Sequence, residues 1–244
     1  MLTKYKDFIN DYVAIIPARS GSKSIKNKNI KKLAGKPILN YSIETALKSN
    51  FKKIIVSSDS QYYLSLIKPN PRIIFHKRSK FNSRDNSKDL DTFKEIISFI
   101  EAEYKYKFKY IVHLRPTTPI RKIKFIKDAI TLFNSKKNKF SSLRSVSLMS
   151  NPSYKTMRVV SGKLCHLYKL DFDMDKLNEP RQSFSKTYLP NGYIDIVKLK
   201  NIKNNFLHGV KTMPYIVDDI NTDIDSYRDY RIIKNNIEAN VRLK

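Results

Sequence analysis

Cysteine is almost absent from this 244-residue chain, which contains a single one, Cys165. One cysteine cannot form an internal disulfide, and together with the four scattered histidines it gives no zinc-ligand spacing. We interpret Cys165 as a small, partly buried apolar residue. A chain of this length buries roughly 70–75% of its unfolded surface, so it needs no disulfide or metal to hold its core.

Long apolar runs are also missing. No stretch approaches the roughly 20 apolar residues that cross a bilayer, and the N-terminal segment lacks the apolar centre of a signal peptide. The sequence therefore predicts a cytoplasmic protein with no membrane partner.

Acidic residues are scarce, because 22 Asp and Glu face 48 Lys and Arg, for a formal charge of +26. Such a balance is typical of nucleic-acid-binding proteins. The lysines, however, are spread over the whole chain among many Asn and Ile, which indicates a compositional bias rather than a dedicated basic patch. We predict an anionic partner but no specific nucleic acid.

Short β-branched segments alternate with helical patterns in the first part of the chain. Helical apolar stripes run through residues 93–100 and 123–133. This alternation predicts an α/β fold with a parallel sheet, whose ligands bind beyond the carboxyl ends of the strands. The predicted strands are residues 13–16, 54–57, 73–75 and 110–114.

The pattern changes in the second part of the chain. Residues 157–168 predict a hairpin about Ser161-Gly162, residues 193–197 predict a further strand, and an amphipathic segment follows from Tyr227. We find no internal repeat or linker. The prediction is one domain over residues 1–244, with residues 151–189 as an inserted subdomain.

The sequence PARSGSKSIKNKN follows the first predicted strand, at residues 17–29. It gathers backbone amides, hydroxyls and cations at a strand end, which suits a polyanion such as a triphosphate. It is neither a Walker A loop nor a GxGxxG loop, and a solvated basic loop is the alternative. The chain has only five glycines, and three of them, Gly21, Gly35 and Gly192, mark candidate ligand loops.

A series of motifs, in order and spacing, resembles the acylneuraminate (CMP-sialic acid) cytidylyltransferase family. The motifs are IIPARSGSKSIKNKNI, LAGKPILNYSIETA, IIVSSD, LRPTTPIR, EPRQ, PNGYIDI and DINT. The resemblance implies a Rossmann-like, GT-A-type nucleotidyltransferase fold, with a mostly parallel central sheet and helices on both faces. It also implies an enzyme that joins CTP to a nine-carbon 2-keto sugar acid, a nonulosonic acid, and releases pyrophosphate.

The resemblance assigns roles to individual positions. The catalytic cations around the triphosphate are Arg19, Lys23 and Lys28. The nucleotide-binding positions are Ser20, Gly21, Ser22, Asn29 and Arg78. The acceptor-binding positions are Arg115, Lys155, Arg181, Asn191 and Asp195. Lys155 and Arg181 match residues that reach the sugar acid from a neighbouring subunit, which implies a homodimer with residues 151–189 as its dimerisation subdomain. Asp85 aligns with a family aspartate whose role here we leave open.

Attack of a sugar hydroxyl on the α-phosphorus concentrates negative charge on the phosphoryl oxygens, so fixed cations and Mg2+ are expected to supply most of the catalysis. The resemblance places Mg2+ at Asp219 and Asn221, where the family has a DxD segment and this chain has Asn second. Mg2+ accepts one or two carboxylates with phosphate oxygens and water. For Asp218, Asp223 and Asp225 the simplest interpretation is N-capping of the helix after Ser226, or the favourable acidic first turn of that helix.

Two departures from the family pattern concern the acceptor. Arg115 replaces a Gln, and Asp195 replaces a Tyr. An arginine fork can hold a carboxylate or phosphate bidentately, although Arg115 can equally pair with a nearby Asp or point to solvent. Two rival functions therefore stay open: a nucleotidyltransferase for a sugar or polyol phosphate, and a nucleic-acid-binding protein on a nucleotidyltransferase-like shell.

Overall fold

The structure is a computed structural model that describes residues 2–167, 173–217 and 223–242. Its strands are β1 (Tyr12–Pro17), β2 (Lys32–Leu33), β3 (Lys36–Pro37), β4 (Ile54–Ser58), β5 (Ile73–Lys77), β6 (Tyr110–His113), β7 (Ser142–Leu148), β8 (Met157–Val160), β9 (Lys163–His166), β10 (Tyr188–Lys198) and β11 (Thr212–Ile216). Its α-helices are α1 (Leu2–Phe8), α2 (Ile38–Lys48), α3 (Gln61–Ser65), α4 (Asp89–Phe99), α5 (Ile123–Lys136), α6 (Leu199–Lys203) and α7 (Tyr227–Arg242).

Seven strands form the central sheet in the order β11-β7-β10-β6-β1-β4-β5. β1 lies between β4 and β6 and is parallel to both, and β5 continues the parallel order beyond β4. β10 is antiparallel to β6 and β7, whereas β11 is parallel to β7. The predicted mostly parallel sheet is confirmed, with β10 as its reversed strand.

Alternate residues of β1 face two separate apolar layers. Val13 and Ile15 belong to the buried cluster that contains the apolar stripe of α4. Ala14 and Ile16 belong to the cluster that contains the stripes of α2 and α5. Since successive side chains of a strand point to opposite faces, helices cover both faces of the sheet, as predicted.

The parallel strands bring four loops to one edge of the sheet. Ala18 donates its backbone N–H to the carbonyl of Ser57 (2.8 Å), and Leu114 donates to the carbonyl of Ile15 (3.0 Å). Arg78 in turn donates to the carbonyl of Ser58 (2.9 Å). The segments that follow β1, β4, β5 and β6 therefore start side by side at the carboxyl edge, where a ligand is expected.

The sequence analysis did not predict α1, β7 or β11. β7 is rich in serine, so its sequence lacks the apolar pattern from which a buried strand is predicted. Ser142 and Ser145 are nevertheless fully buried. Their hydroxyls have partners, because Ser142 Oγ donates to Thr212 Oγ1 (2.9 Å) and Ser145 Oγ accepts the backbone N–H of Ile194 (2.9 Å). Hydrogen bonding thus satisfies polar residues at core positions of this strand.

The strand predicted at residues 193–197 is longer in the structure. β10 starts at Tyr188, which pairs with Leu148 of β7, and its register shifts between Pro190 and Asp195. The irregularity around Pro190 and Gly192 breaks the apolar pattern, which is why the sequence showed only the second half of the strand.

The predicted hairpin about Ser161-Gly162 is confirmed. β8 and β9 pair antiparallel, with Val160 opposite Lys163. Ser161 (φ 50°) and Gly162 (φ 74°) both adopt left-handed backbone conformations, as a two-residue type I′ turn requires. Within the described ranges, no helix combines the length and apolar character needed to span a membrane.

Gly192, like Gly209, has little room for a side chain. Its φ is +67°, and an added Cβ would lie 2.8 Å from Thr118 Oγ1. Thr118 is fully buried, so it cannot give way. Gly35, by contrast, has a φ of +78° and no atom within 4 Å of an added Cβ.

We expect Gly192→Ala to lower the free energy of unfolding by at least about 2 kcal/mol, because it adds a steric clash to left-handed strain. Gly35→Ala is the matched control and should cost only about 1 kcal/mol, the strain alone. Urea titration of both variants measures the two losses. Equal losses would contradict the close packing inferred at Gly192.

Candidate functional site

A cleft of about 510 Å³ lies at the carboxyl edge of the parallel strands. It contains charged residues of both signs, from the loops after β1, β5 and β6 and from the start of α4. The predicted site residues that line it are Arg19, Ser22, Lys23, Lys28, Asn29, Arg78 and Arg115. It is also lined by Asp85, Asp89, His113 and Asp225.

The loop after β1 is anchored to the loop after β4. Ser20 donates both its backbone N–H (2.8 Å) and its hydroxyl (2.6 Å) to the carboxylate of Asp59. Asn29 donates its side-chain amide to the carbonyl of Arg19 (2.8 Å). Ser20 thus shapes the loop, and Asp59 holds it. Asp59 was missed as a functional residue, although its place at the end of IIVSSD was the available signal.

Gly21 differs from the expectation that the backbone demands glycine there. The φ of Gly21 is not positive. An added Cβ would meet only Arg19 Nη1 at 3.7 Å, which is an ordinary van der Waals contact. Its carbonyl accepts a hydrogen bond from that guanidinium (3.0 Å). Gly35 and Gly192 do adopt left-handed conformations, so the glycine argument holds for those two positions and is wrong for Gly21.

Asp85 lies between the two exposed cations of the loop. Its carboxylate is 2.6 Å from Lys23 Nζ and 2.8 Å from Arg19 Nη1. Hydrogen bonds from Lys23 and then Arg19 hold the pKa of Asp85 below its ordinary value, so it is ionised at neutral pH. Two positive groups thus converge on one anionic group at the mouth of the cleft.

Lys28 joins the loop to the segment before α7. The residue is buried, and its Nζ donates to the carbonyl of Ile224 (2.7 Å) and lies 3.4 Å from Asp225 Oδ1. Asp223 Oδ1 accepts a hydrogen bond from the hydroxyl of Thr118 (3.4 Å). The C-terminal segment therefore closes one side of the cleft.

The expected capping by Asp223 and Asp225 is wrong. α7 is capped by Ser226 and Asp229: the backbone N–H of Ser226 donates to Asp229 Oδ2 (2.7 Å), and the N–H of Asp229 donates to Ser226 Oγ (3.3 Å). Asp225 instead contacts Lys28 at the cleft, and Asp223 accepts a hydrogen bond from Thr118, because the reciprocal Ser226–Asp229 pair already satisfies the helix start. Asp218 lies outside the described residues.

Arg78 is buried at the end of β5. Its Nε donates to Ser57 Oγ (3.2 Å), and burial lowers the pKa of its guanidinium, which stays charged because the ordinary value is so high. Its Nη2 also lies 3.5 Å from the carbonyl of Ser57, and the side chain lines the cleft. The arginine that the resemblance assigned to the nucleotide therefore lies at the cleft.

Arg115 pairs with acidic residues. Its Nη1 donates to Asp195 Oδ2 (2.7 Å), and its Nη2 lies 3.4 Å from Asp89 Oδ2. The Asp195 side chain is only 2% exposed, and its other oxygen is 3.7 Å from Arg144 Nε. The two family departures, Arg115 and Asp195, thus form one ion pair, and Asp195 lies behind Arg115 rather than on the cleft wall.

Arg121 supports the backbone behind Arg115 through hydrogen bonds, and this role was not predicted from the sequence. The completely buried guanidinium donates to the carbonyls of Tyr193 (2.6 Å), Arg115 (2.8 Å) and Gly192 (3.1 Å), and to Ser42 Oγ (2.9 Å). Its position in LRPTTPIR was a signal, but nothing in the sequence indicates that its partners are backbone carbonyls.

Four predicted acceptor residues do not line the cleft of their own chain: Asp195, which lies behind Arg115, and Lys155, Arg181 and Asn191. Lys155 Nζ donates to the carbonyl of Glu179 (2.5 Å). Arg181 is exposed on the insert, beside Phe184. Asn191 donates to Ser147 Oγ (2.9 Å) and accepts the N–H of Tyr193, which shapes the turn. Their assignment to the acceptor stays a prediction.

The predicted Mg2+ ligands, Asp219 and Asn221, lie outside the described residues. In the part of the chain that the structure describes, no three or more His, Cys, Asp or Glu side chains gather as a metal site would require. The described carboxylates at the cleft, Asp85, Asp89 and Asp225, are hard oxygen donors of the type that Mg2+ prefers.

The sequence profile of the cytidylyltransferase family matches residues 13–223. The chain belongs to this family. It is 33% identical over 227 residues to N-acylneuraminate cytidylyltransferase of Escherichia coli O18:K1:H7, a match that covers 90% of this chain and 50% of that one. It therefore spans about half the length of that relative.

A relative of similar length is CMP-N,N'-diacetyllegionaminic acid synthase of Legionella pneumophila, 28% identical over 232 residues, which cover 93% of this chain and 97% of that one. Among solved structures, CMP:2-keto-3-deoxy-manno-octonic acid synthetase in complex with CTP superposes with a TM-score of 0.67 at 15% identity, over 94% of this chain and 99% of that one. This structural likeness confirms the nucleotidyltransferase fold.

We expect Arg115→Gln to lower the free energy of unfolding by about 3 kcal/mol, because it leaves the buried carboxylate of Asp195 without its main partner. The double variant Arg115→Gln/Asp195→Asn removes both charges and should recover most of that loss. Urea titration of the two variants and of Asp195→Asn completes the cycle. Additive losses would show that the pair is not coupled.

Proposed function

We propose that this cytidylyltransferase transfers the cytidylyl group of CTP to a nonulosonic acid, giving a CMP-sugar and pyrophosphate. The observation that carries the proposal is the convergence of Arg19, Lys23 and Lys28 on one cleft at the carboxyl edge of the sheet. Its support in the comparisons is the group of relatives named for N-acylneuraminate and N,N'-diacetyllegionaminic acid.

Arg19 and Lys23 bind the triphosphate in this proposal. Both contact the Asp85 carboxylate in the structure. Phosphate oxygens of the bound triphosphate take the place of that carboxylate as their anionic partner. Lys28 is held in place by Ile224 and Asp225 and supplies a buried charge whose position is set before the substrate arrives. Such preorganised cations stabilise the negative charge that develops on the phosphoryl oxygens and on pyrophosphate.

The nucleoside lies against Asn29 and Arg78 in the same proposal, with the loop of Ser20, Gly21 and Ser22 over the phosphates. Asp219 and Asn221 would hold Mg2+, which would supply neutralisation of phosphate charge. The cytoplasmic location also stays a prediction from the sequence.

In this proposal the acceptor lies beside Arg115 on the cleft wall, and Lys155 and Arg181 of a second copy reach it. A homodimer is supported by the surface of the insert. Val159 (71% exposed) and Leu164 (60%) are cross-strand partners on the β8–β9 hairpin. Leu189, the last residue of the insert, is also exposed (59%). Apolar residues concentrated on one subdomain are typical of an association surface.

The test is pyrophosphate release from the purified chain with Mg2+, each nucleoside triphosphate in turn, and a set of acids. The acids are N-acetylneuraminic acid, N,N'-diacetyllegionaminic acid and 2-keto-3-deoxy-manno-octonic acid. We expect release with CTP and a nine-carbon acid. An absence of CTP-dependent release with every acid would contradict the proposal, and release with sugar phosphates alone would favour the rival acceptor class.

Lys23→Ala should lower turnover by on the order of 10², the scale for loss of one preorganised charge donor. Lys26→Ala is the matched control, because Lys26 is exposed on the same loop and is not among the cleft-lining residues. Steady-state kinetics of pyrophosphate release compares them. Equal activity of the two variants would mean that the loop is only a solvated basic turn.

Val159→Asp/Leu164→Asp should convert the dimer to monomer, because it places two carboxylates in the apolar contact. Val210→Asp is the control, since Val210 is 93% exposed and lies outside the insert. Sedimentation velocity measures the oligomeric state. An unchanged sedimentation coefficient in the hairpin variant would place the association surface elsewhere.

A further inference from the structure

Asp89 is a cleft residue to which neither the motifs nor the proposed reaction gives a role. It is the first residue of α4, lines the cleft beside Arg115 and His113, and has a side chain that is 40% exposed. Its Oδ2 lies 3.4 Å from Arg115 Nη2 and 3.9 Å from His113 Nδ1. The carboxylate therefore forms part of the same wall as Arg115 and remains open to solvent.

The guanidinium of Arg115 is already engaged. It donates to Asp195, whose side chain is 2% exposed, and Asp89 approaches its other terminal nitrogen. An anion that took the Nη1 donor would have to displace the buried carboxylate of Asp195, which would leave that charge with only Arg144 at 3.7 Å, and an anion at Nη2 would meet the carboxylate of Asp89. Removing a partner from a buried charge is strongly unfavourable, so Asp195 stays in place.

His113 does not add a positive charge to this wall. Complete burial, and then the positive charge of Arg115, hold the pKa of His113 well below its ordinary value, so the imidazole is neutral. Arg121 behind the wall is occupied by backbone carbonyls and Ser42. Asp89 is therefore the most exposed of the charged side chains that this wall presents to the cleft, at 40% against 21% for Arg115.

A carboxylate accepts hydrogen bonds and repels other anions. We propose that Asp89 is a specificity-determining residue for the acceptor. It accepts hydrogen bonds from hydroxyl or amide N–H groups of the sugar acid, and it disfavours acceptors that carry a second anionic group such as a phosphate. The inference rests on the proposed function, and it reverses the expectation that Arg115 is free to hold a phosphate.

The experiment compares kcat/KM for N-acetylneuraminic acid with kcat/KM for its 9-phosphate, at saturating CTP. In the unmodified chain the unphosphorylated acid should be favoured by at least about 10-fold, as like-charge juxtaposition predicts. In Asp89→Asn this ratio should fall about 10-fold, with the change mainly in KM for the acceptor and with KM for CTP unaltered.

Asp91→Asn is the matched control. Asp91 lies in the same first turn of α4 but is not among the residues that line the cleft, so its substitution changes the helix start by the same charge. An Asp89→Asn ratio that stays unchanged, or one that falls equally in Asp91→Asn, would overturn the inference while the proposed function stands. A chain inactive with CTP and every acid would overturn the proposed function, and this inference with it.

Discussion

The acceptor side of the cleft depends on one buried guanidinium. Arg121 ties the loop after β6 to the irregular turn of β10 and to α2 through hydrogen bonds to three backbone carbonyls and one hydroxyl. Burial of a charge is costly unless every donor has a partner, and the carbonyl oxygens meet that need without a carboxylate. Because the carbonyls belong to Arg115 and Gly192, the backbone from which Arg115 projects is fixed as well.

The phosphate side is organised differently, through exposed ion pairs and loop anchors. Asp59 holds the loop through Ser20, whereas Asp85 contacts the cations from its open side. Exposed pairs are weak, because water and salt screen them. In the proposed function a triphosphate, with several charges, would therefore displace Asp85 readily, whereas Asp59, bound to a backbone N–H, keeps the loop in shape. One acidic residue is exchangeable and the other is structural.

Regular elements with apolar patterns were predictable, since burial imposes the period of a strand or helix directly on the sequence. β7 was not, because its buried serines Ser142 and Ser145 are satisfied by partners about 50 or more residues away. The same limit applies to the site. Strand ends and motifs predicted which cations line the cleft. The hydrogen bonds of Arg121 and the cap of α7, by contrast, depend on which backbone groups lie close together in the fold.

Arg115 and Asp195 show most clearly how separate positions become one feature. Each, taken alone, suggests a contact with the acceptor, yet they are 80 residues apart and 2.7 Å from each other. A lone arginine here would bring an unpaired cation to the acceptor, and a lone aspartate would bury an unpaired anion. Together they are nearly neutral, and Asp89, at 40% exposed, is the more open charge beside them. Under the proposal, acceptor selectivity is therefore set by Asp89 and not by either member of the pair.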